Sequence, residues 1–213
     1  ITSTKTAASA GSISLIGAAR VGTDGDAVRI VESSTFVGSQ NGAIQIIGNS
    51  AGDDGVVIGN SATVQSQGTG LNAATITIFG TSGPTAGGIG TAIMNSSVVT
   101  SVDGSMLING TGTGGQRGFY LYNGSSVSST GTTAFAANIT IDALSGIDDA
   151  VQIDGSQISS VAGNVRVTGD AATGATGVNL FGAANITVVT GQLVVTGTGG
   201  TVAGIRLSDI STG

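Results

Sequence analysis

Hydrophobic and polar residues alternate in short segments that recur along the whole chain. The pattern is clearest where AGNVRVTG, residues 162–169, is followed 28 residues later by TGQLVVTG, residues 190–197. Apolar side chains two positions apart indicate β-strands that bury one face. Gly163 and Gly169 bracket the first of these segments, and we expect the chain to bend at both. The apolar residues are therefore predicted to form a core, and the variable polar residues are predicted to form its surface.

This strand recurs seven times, at intervals of 26–33 residues. Its apolar pairs are Ile13/Leu15, Ile44/Ile46, Ile76/Ile78, Met106/Ile108, Ile139/Ile141, Val165/Val167 and Leu193/Val195. A second strand follows each copy, with pairs at Val28/Ile30, Val56/Ile58, Ala92/Met94, Phe119/Leu121, Val151/Ile153, Val178/Leu180 and Ile205/Leu207. A third, shorter strand then centres on Phe36, Val64, Val99, Val127, Ile158 and Ile186.

Three short strands per repeat predict an all-β fold, a right-handed parallel β-helix (β-solenoid) of about seven coils of ~26–33 residues. One coil cannot bury its apolar face, whereas a stack of coils buries a continuous core. The handedness rests on analogy alone. A β-propeller needs blades of ~40–50 residues, and a β-sandwich gives no reason for a three-strand unit. We treat residues 1–213 as a single solenoid segment and expect it to be a fragment of a longer repeat protein.

Two turns between the third strand and the next first strand are longer than their neighbours. They belong to VQSQGTGLNAATITI, which begins at Val64, and VSSTGTTAFAANITI, which begins at Val127. One interpretation is a duplication of two coils that carries tolerated insertions. The other is a pair of bulges on one edge, in which Leu71 and Phe135 contact a partner, because insertions in solenoids gather on one face.

The charge and the absence of certain residue types exclude several classes of function. The net charge is −6, and the six basic residues are spread singly, so nucleic acid is not an expected partner. Cysteine and histidine are absent, which excludes disulfides, thiolate chemistry and histidine general bases. No apolar run approaches the ~20 residues that a membrane-spanning helix needs, so we expect no membrane insertion of this segment.

Acidic residues cluster in the turns before the second strands. Asp24, Asp26, Asp53 and Asp54 belong to two adjacent coils and could supply oxygen ligands to a calcium ion. The alternative is a pair of solvated turns, because Asp-Gly and Asp-Asp are ordinary turn formers. No other cofactor is expected. Glycosidases need two carboxylates at a set separation, on faces that grip sugar. Because these acids lie in turns, we do not expect an enzyme.

The segment FYLY, residues 119–122, is the densest aromatic group in the chain. Alternation predicts that Phe119 and Leu121 point inward and that Tyr120 and Tyr122 point outward. With Arg117 beside them, the two tyrosines could form a ligand-binding patch. The alternative is an ordinary strand with two exposed tyrosines.

The templates GNVRVTGDAATG, TGQLVVTGTGG and ANITIDALSG resemble the passenger repeats of filamentous-haemagglutinin-like adhesins and autotransporter passengers. The resemblance extends from Gly11 onward and rests on composition and strand template. It implies an extracellular or cell-surface location and a non-enzymatic structural or adhesive rod or fibre. It also implies end-to-end continuation or self-association, with cell-surface glycans or proteins as partners. A carbohydrate-binding or polysaccharide-degrading β-helix and a phage-type fibre remain the alternatives.

Overall fold

The computed structural model describes residues 1–6, 10–20, 25–84, 87–114, 117–173 and 175–209. One short 3₁₀ turn spans Gly70–Asn72. The strands are β1 Thr2–Ser3, β2 Ile13–Ala19, β3 Val28–Val31, β4 Phe36–Ser39, β5 Ile44–Ser50, β6 Val56–Gly59, β7 Thr63–Ser66, β8 Ile76–Thr81, β9 Thr91–Met94, β10 Val98–Ser101, β11 Met106–Gly112, β12 Phe119–Tyr122, β13 Ser126–Ser129, β14 Ile139–Ser145, β15 Val151–Asp154, β16 Gln157–Ser160, β17 Val165–Ala171, β18 Thr176–Phe181, β19 Asn185–Val188, β20 Leu193–Thr198 and β21 Ala203–Leu207.

Each strand pairs in parallel with the strand three places further along the chain. The strands therefore form three parallel sheets of seven strands each. Sheet A begins with β1 and β4, sheet B with β2 and β5, and sheet C with β3 and β6. Six complete coils run from β2 to β19, and β20 and β21 are the first two strands of a seventh. The predicted parallel β-solenoid is confirmed. We call the turns that lead from one sheet to the next the A–B, B–C and C–A edges.

The core consists of aliphatic columns that run up the inside of all three sheets. In sheet B, Ile44, Ile76, Met106 and Ile139 lie directly above one another and are at most 1% exposed. Sheet C adds a second column that contains Ile58, and both belong to one contiguous cluster. Burial of a single isoleucine or leucine side chain contributes about 1.5–3 kcal/mol. The columns therefore provide the main favourable term for the stack.

The predicted inward residues of β9, Ala92 and Met94, are wrong by one position. The register places Thr91 and Ile93 in the columns of sheet C. Thr91 is fully buried, and its hydroxyl donates a hydrogen bond to the Asn109 carbonyl oxygen at 2.7 Å. Since both alternating sets contain apolar residues here, the pattern could not decide between them. A one-residue shift exchanges the faces of a strand.

The third strand of the first complete coil shows the same kind of correction. The pattern centres this strand on Phe36, but Val37 pairs with Val64 and occupies the buried column. The Phe36 ring lies over Gly38, which has no side chain to oppose it. The ring therefore covers the outer face of its own strand.

Glycine does more in this fold than permit bends. Gly169 lies inside β17, not at its end, and belongs to an inward column of sheet B. A Cβ atom at Gly110, in the same column, would lie 1.9 Å from the carbonyl oxygen of Gly118, which immediately precedes β12 of sheet C. The column contains Gly17, Gly48, Gly80, Gly110, Ala143, Gly169 and Gly197. The backbones of sheets B and C are thus in direct contact, whereas the expected bend at Gly163 is observed.

Three successive turns of the C–A edge are linked by a ladder of asparagine side chains. Asn60, Asn95 and Asn123 adopt positive φ angles of 55°, 55° and 53°. The Asn123 side-chain amide donates to Asn95 Oδ1 at 3.0 Å, and that of Asn95 donates to Asn60 Oδ1 at 3.1 Å. Asparagine tolerates the left-handed region better than most residues do. The ladder therefore keeps successive C–A turns alike.

Substitution of Gly110 by alanine tests the contact between sheets B and C. We expect Gly110→Ala to lower the free energy of unfolding by about 1–3 kcal/mol or more, because the methyl group overlaps a backbone oxygen. Gly146→Ala is the matched control, since its Cβ would meet nothing closer than 3.8 Å. Urea unfolding followed by circular dichroism measures both variants. Equal stability of the two would contradict the close contact.

Candidate functional site

The predicted aromatic patch is assembled on the outer face of sheet C. The Tyr120 and Tyr122 rings stack with centroids 5.1 Å apart and planes inclined by 22°. The Arg117 guanidinium lies 4.7 Å from the centre of the Tyr120 ring. One of its nitrogens is 3.5 Å from a carboxylate oxygen of Asp148. The structure therefore brings together all three residues of the predicted patch.

The patch nevertheless presents little open aromatic surface. Arg117 precedes Tyr120 along the chain and Tyr122 follows it, and each packs against the Tyr120 ring. Tyr120 is half-buried, and burial raises the pKa of its phenol, against the opposite effect of the Arg117 guanidinium. Tyr122 is 37% exposed. A sugar ring would thus find one available aromatic face, that of Tyr122, so ligand binding at this patch stays a prediction.

The acidic turns of the first two coils lie close together on the B–C edge. Asp26 forms an ion pair with Arg29 at 2.8 Å. One Asp54 oxygen accepts the backbone N–H of Ile89 at 2.6 Å. Among the residues described here, no group of three or more acidic side chains is arranged to hold a metal ion.

Asp24, the fourth member of the proposed calcium site, lies outside the described residues. The described carboxylates Asp26 and Asp54 already have protein partners. Calcium usually takes six to eight oxygen ligands, so these turns alone do not form such a shell. The calcium site stays a prediction that depends on Asp24.

The surroundings of Asp54 alter the pKa of its carboxyl group. Burial is the main cause that raises its pKa from 3.8 to about 6, and the hydrogen bond from Ile89 opposes the shift. The negative charges of Asp53 and Asp26 raise the pKa further, whereas Arg29 lowers it. The Asp54 carboxyl group therefore stays largely protonated up to a pH of about 6.

Replacement of Asp54 by asparagine tests this assignment. Because the folded pKa of about 6 lies above the unfolded value of 3.8, the folded chain binds the proton more tightly. The resulting stabilisation is complete below about pH 4 and is lost as the pH rises through 6. Asp54→Asn keeps an acceptor for Ile89 but cannot ionise. We expect the wild-type free energy of unfolding to fall relative to that of the variant between pH 4 and 6. Parallel profiles from urea titrations would refute the shift.

The two long turns form bulges on the A–B edge, as expected. Leu71 lies in the 3₁₀ turn of the first bulge and is 85% exposed, and Phe135 in the second bulge is 48% exposed. They belong to coils two steps apart, a rise of about 10 Å. Both residues border one notch of about 190 Å³. We call this surface, with Leu71 and Phe135 as its walls, the bulge notch.

A buried aspartate in the intervening coil ties the first bulge to the rod. Asp103 is 8% exposed, and its Oδ2 accepts the backbone N–H of Gly70 at 2.7 Å. Gly131, at the start of the second bulge, packs against the other carboxylate oxygen and donates its N–H to the Val102 carbonyl. The bulges on both sides of the notch therefore rest on the same turn.

The bases of the bulges are held by neighbouring coils. The N–H of Ala74 donates to Gln40 at 3.0 Å, and that of Ala137 donates to Val102 at 3.1 Å. Ala74 and Ala137 are both buried. The exposed leucine and phenylalanine are thus presented in water on an anchored backbone. Contact of these two side chains with a partner stays a prediction.

Some structural residues escaped the sequence analysis although their signal was present. In the first five coils, the sheet A strand (β4, β7, β10, β13 and β16) ends in a serine. These serines face inward in one column: Ser39, Ser66, Ser101, Ser129 and Ser160. Where the hydroxyl is paired, it donates to a carbonyl of the following turn, as from Ser101 to Gly104 at 2.5 Å. Asp103 gave no such signal, because SVDGS reads as an ordinary turn.

Comparison with known proteins gave no match to a family model, a curated protein or a solved structure. Within the described ranges, no helix has the length and apolar character needed to cross a membrane. The class of the protein is therefore defined by its fold: it is a parallel β-solenoid repeat protein.

Proposed function

We propose that this chain is a non-enzymatic structural and adhesive β-solenoid that forms part of an extracellular rod or fibre on a bacterial surface. One observation carries the proposal: three parallel sheets run without interruption around a single aliphatic core. The likeness of its strand templates to adhesin passenger repeats points to the same class.

The geometry suits a mechanical role. Strands in each sheet stack along the solenoid axis, so their backbone hydrogen bonds point along that axis. A load along the axis is shared among three sheets at every coil, and the stacked columns resist bending. The rod would hold whatever it carries at a fixed distance from its attachment point.

The bulge notch supplies the adhesive element of the proposal. Its apolar walls, Leu71 and Phe135, are exposed, whereas their backbone is anchored to the rod by Asp103 and neighbouring carbonyl groups. A rigid backbone lowers the entropy that is lost when a partner binds. We assign this surface to contact with a cell-surface protein or glycan.

Arrangement of the acids favours a non-catalytic role. Asp26 is paired with Arg29, and Asp54 accepts a backbone N–H. These contacts hold the two carboxylates within the structure of the turns. A glycosidase instead uses one carboxyl group as an acid and a second as a nucleophile or base, on opposite sides of the scissile bond.

Adhesion of protein-coated beads to cell surfaces tests the proposal. We expect the double variant Leu71→Ser, Phe135→Ser to lose most of the adhesion, because serine removes the apolar walls of the notch. Ile147→Ser is the matched control, since Ile147 is 62% exposed but lies on the B–C edge. Equal adhesion of the double variant and the wild type would contradict the assignment. Release of reducing sugars from a polysaccharide panel would overturn the non-enzymatic role.

A further inference from the structure

The bulge notch contains a carboxylate as well as apolar walls. Asp103 lines the notch together with Leu71 and Phe135, and it is 8% exposed. One of its oxygens, Oδ2, accepts the backbone N–H of Gly70. The other, Oδ1, is buried and has no hydrogen-bond partner among the described residues. The carboxylate therefore uses only part of its capacity to accept hydrogen bonds.

No ion pair within the described part of the chain balances this carboxylate. The ion pairs between described residues join Arg29 to Asp26 and Arg117 to Asp148, and neither includes Asp103. Transfer of a carboxylate from water into the protein is costly unless the group is paired. The attraction between opposite charges also becomes stronger where protein replaces water. A cation that enters the notch therefore gains an interaction that these residues leave unused.

The apolar walls of the notch favour a cation that is carried on an apolar stem. Leu71 and Phe135 are exposed in the free chain, so a hydrocarbon stem between them would remove apolar surface from water. An aromatic ring also attracts a cation that lies over its face. Lysine carries its ammonium group on a flexible four-carbon stem, whereas the amine of an amino sugar is attached directly to a polar ring. The walls thus favour a lysine side chain over a glycan.

The unequal use of the two carboxylate oxygens favours lysine over arginine. A guanidinium group pairs best with a carboxylate that offers both oxygens at once. At Asp103 the N–H of Gly70 already occupies Oδ2, so one oxygen remains. An ammonium group is a compact charge with three donors. The exposed residues Thr75 and Ser105 line the same notch and supply hydroxyl acceptors for the other donors.

We propose that the bulge notch binds a lysine side chain of a cell-surface protein, with the ammonium group next to Asp103 and the stem between Leu71 and Phe135. The inference rests on the proposed function, because it names the partner of the same surface. The volume of about 190 Å³ is below the ~300–1,000 Å³ of pockets that enclose small-molecule ligands, and it suits a single side chain.

Titration of the wild-type protein with small lysine derivatives tests the occupant. The backbone amide signals of Gly70 and Leu71 report binding in nuclear magnetic resonance spectra of the isotopically labelled protein. We expect Nα-acetyl-lysine amide to bind at least about tenfold more tightly than Nα-acetyl-norleucine amide, which keeps the stem without the charge. Equal binding of the two would overturn the role of the carboxylate. Tighter binding of Nα-acetyl-arginine amide would overturn the choice of lysine.

Replacement of Asp103 by asparagine tests the carboxylate from the side of the protein. Asp103→Asn keeps an acceptor for the Gly70 N–H, so we expect a wild-type circular dichroism spectrum and a loss of affinity for Nα-acetyl-lysine amide of about tenfold or more. Asp170→Asn is the matched control, because it removes the same charge from an exposed position of β17. Equal losses in the two variants would show an effect of net charge alone and would overturn the site. The comparison of derivatives on the wild type does not depend on the folding of either variant.

The bead assay separates this inference from the proposed function. We expect beads coated with Asp103→Asn to lose most of their adhesion. Protease treatment of the cells, which removes surface proteins, should reduce the adhesion of wild-type beads to the same extent. If adhesion persists in both cases but is lost with Leu71→Ser, Phe135→Ser, the lysine partner is overturned and the adhesive function stands. If the wild type binds Nα-acetyl-lysine amide but adheres to no cell surface, the adhesive function is overturned and the lysine site stands.

Discussion

The rest of the structure depends on the direct backbone contact between sheets B and C. Six of the seven residues in one inward column of sheet B are glycines, and a Cβ atom at each of the six would lie 1.9 Å from a backbone carbonyl oxygen at or next to the start of a sheet C strand. The seventh residue is Ala143. This contact involves six of the chain's 38 glycines. The contact recurs at the same position in six coils, so the glycine column runs along the same side of the core throughout the stack.

The turns on the other two edges are held by hydrogen bonds between coils, and they differ in length. The C–A edge is fixed by asparagines with positive φ angles, whose side chains hydrogen-bond from coil to coil. An insertion there would break the ladder on both sides. The A–B edge also has asparagine contacts between coils, since Asn138 Oδ1 accepts the N–H of Asn164 and Asn164 Oδ1 accepts the N–H of Gln192, each at 2.8 Å. The long bulges that carry Leu71 and Phe135 lie on this same edge, and both residues precede Asn138 along the chain.

Alternation of apolar residues was sufficient to predict the sheets, because the two-residue periodicity and the repeat interval are both visible in the amino-acid sequence. It failed where both faces of a strand are apolar, as at Ala92 and Ile93, and where glycine serves a contact inside a strand, as at Gly169. The outward placement of Tyr120 was predictable, but the packing of neighbours against its ring was not. The raised pKa of Asp54 depends on burial by an adjacent coil. The packing around Tyr120 and the pKa of Asp54 depend on contacts between coils, and a local sequence pattern does not predict such contacts.

The exposed apolar surface of the bulge notch is separate from the apolar surface that the coils bury. The notch lies on one edge of the solenoid, so a contact there leaves the columns of the core undisturbed. The Asp103 carboxylate accepts the N–H of Gly70 at the base of the first bulge, which ties the position of Leu71 to the neighbouring coil. A partner at the notch would therefore meet apolar side chains on a backbone that the stacked coils already order, and less entropy is lost on binding to such a backbone.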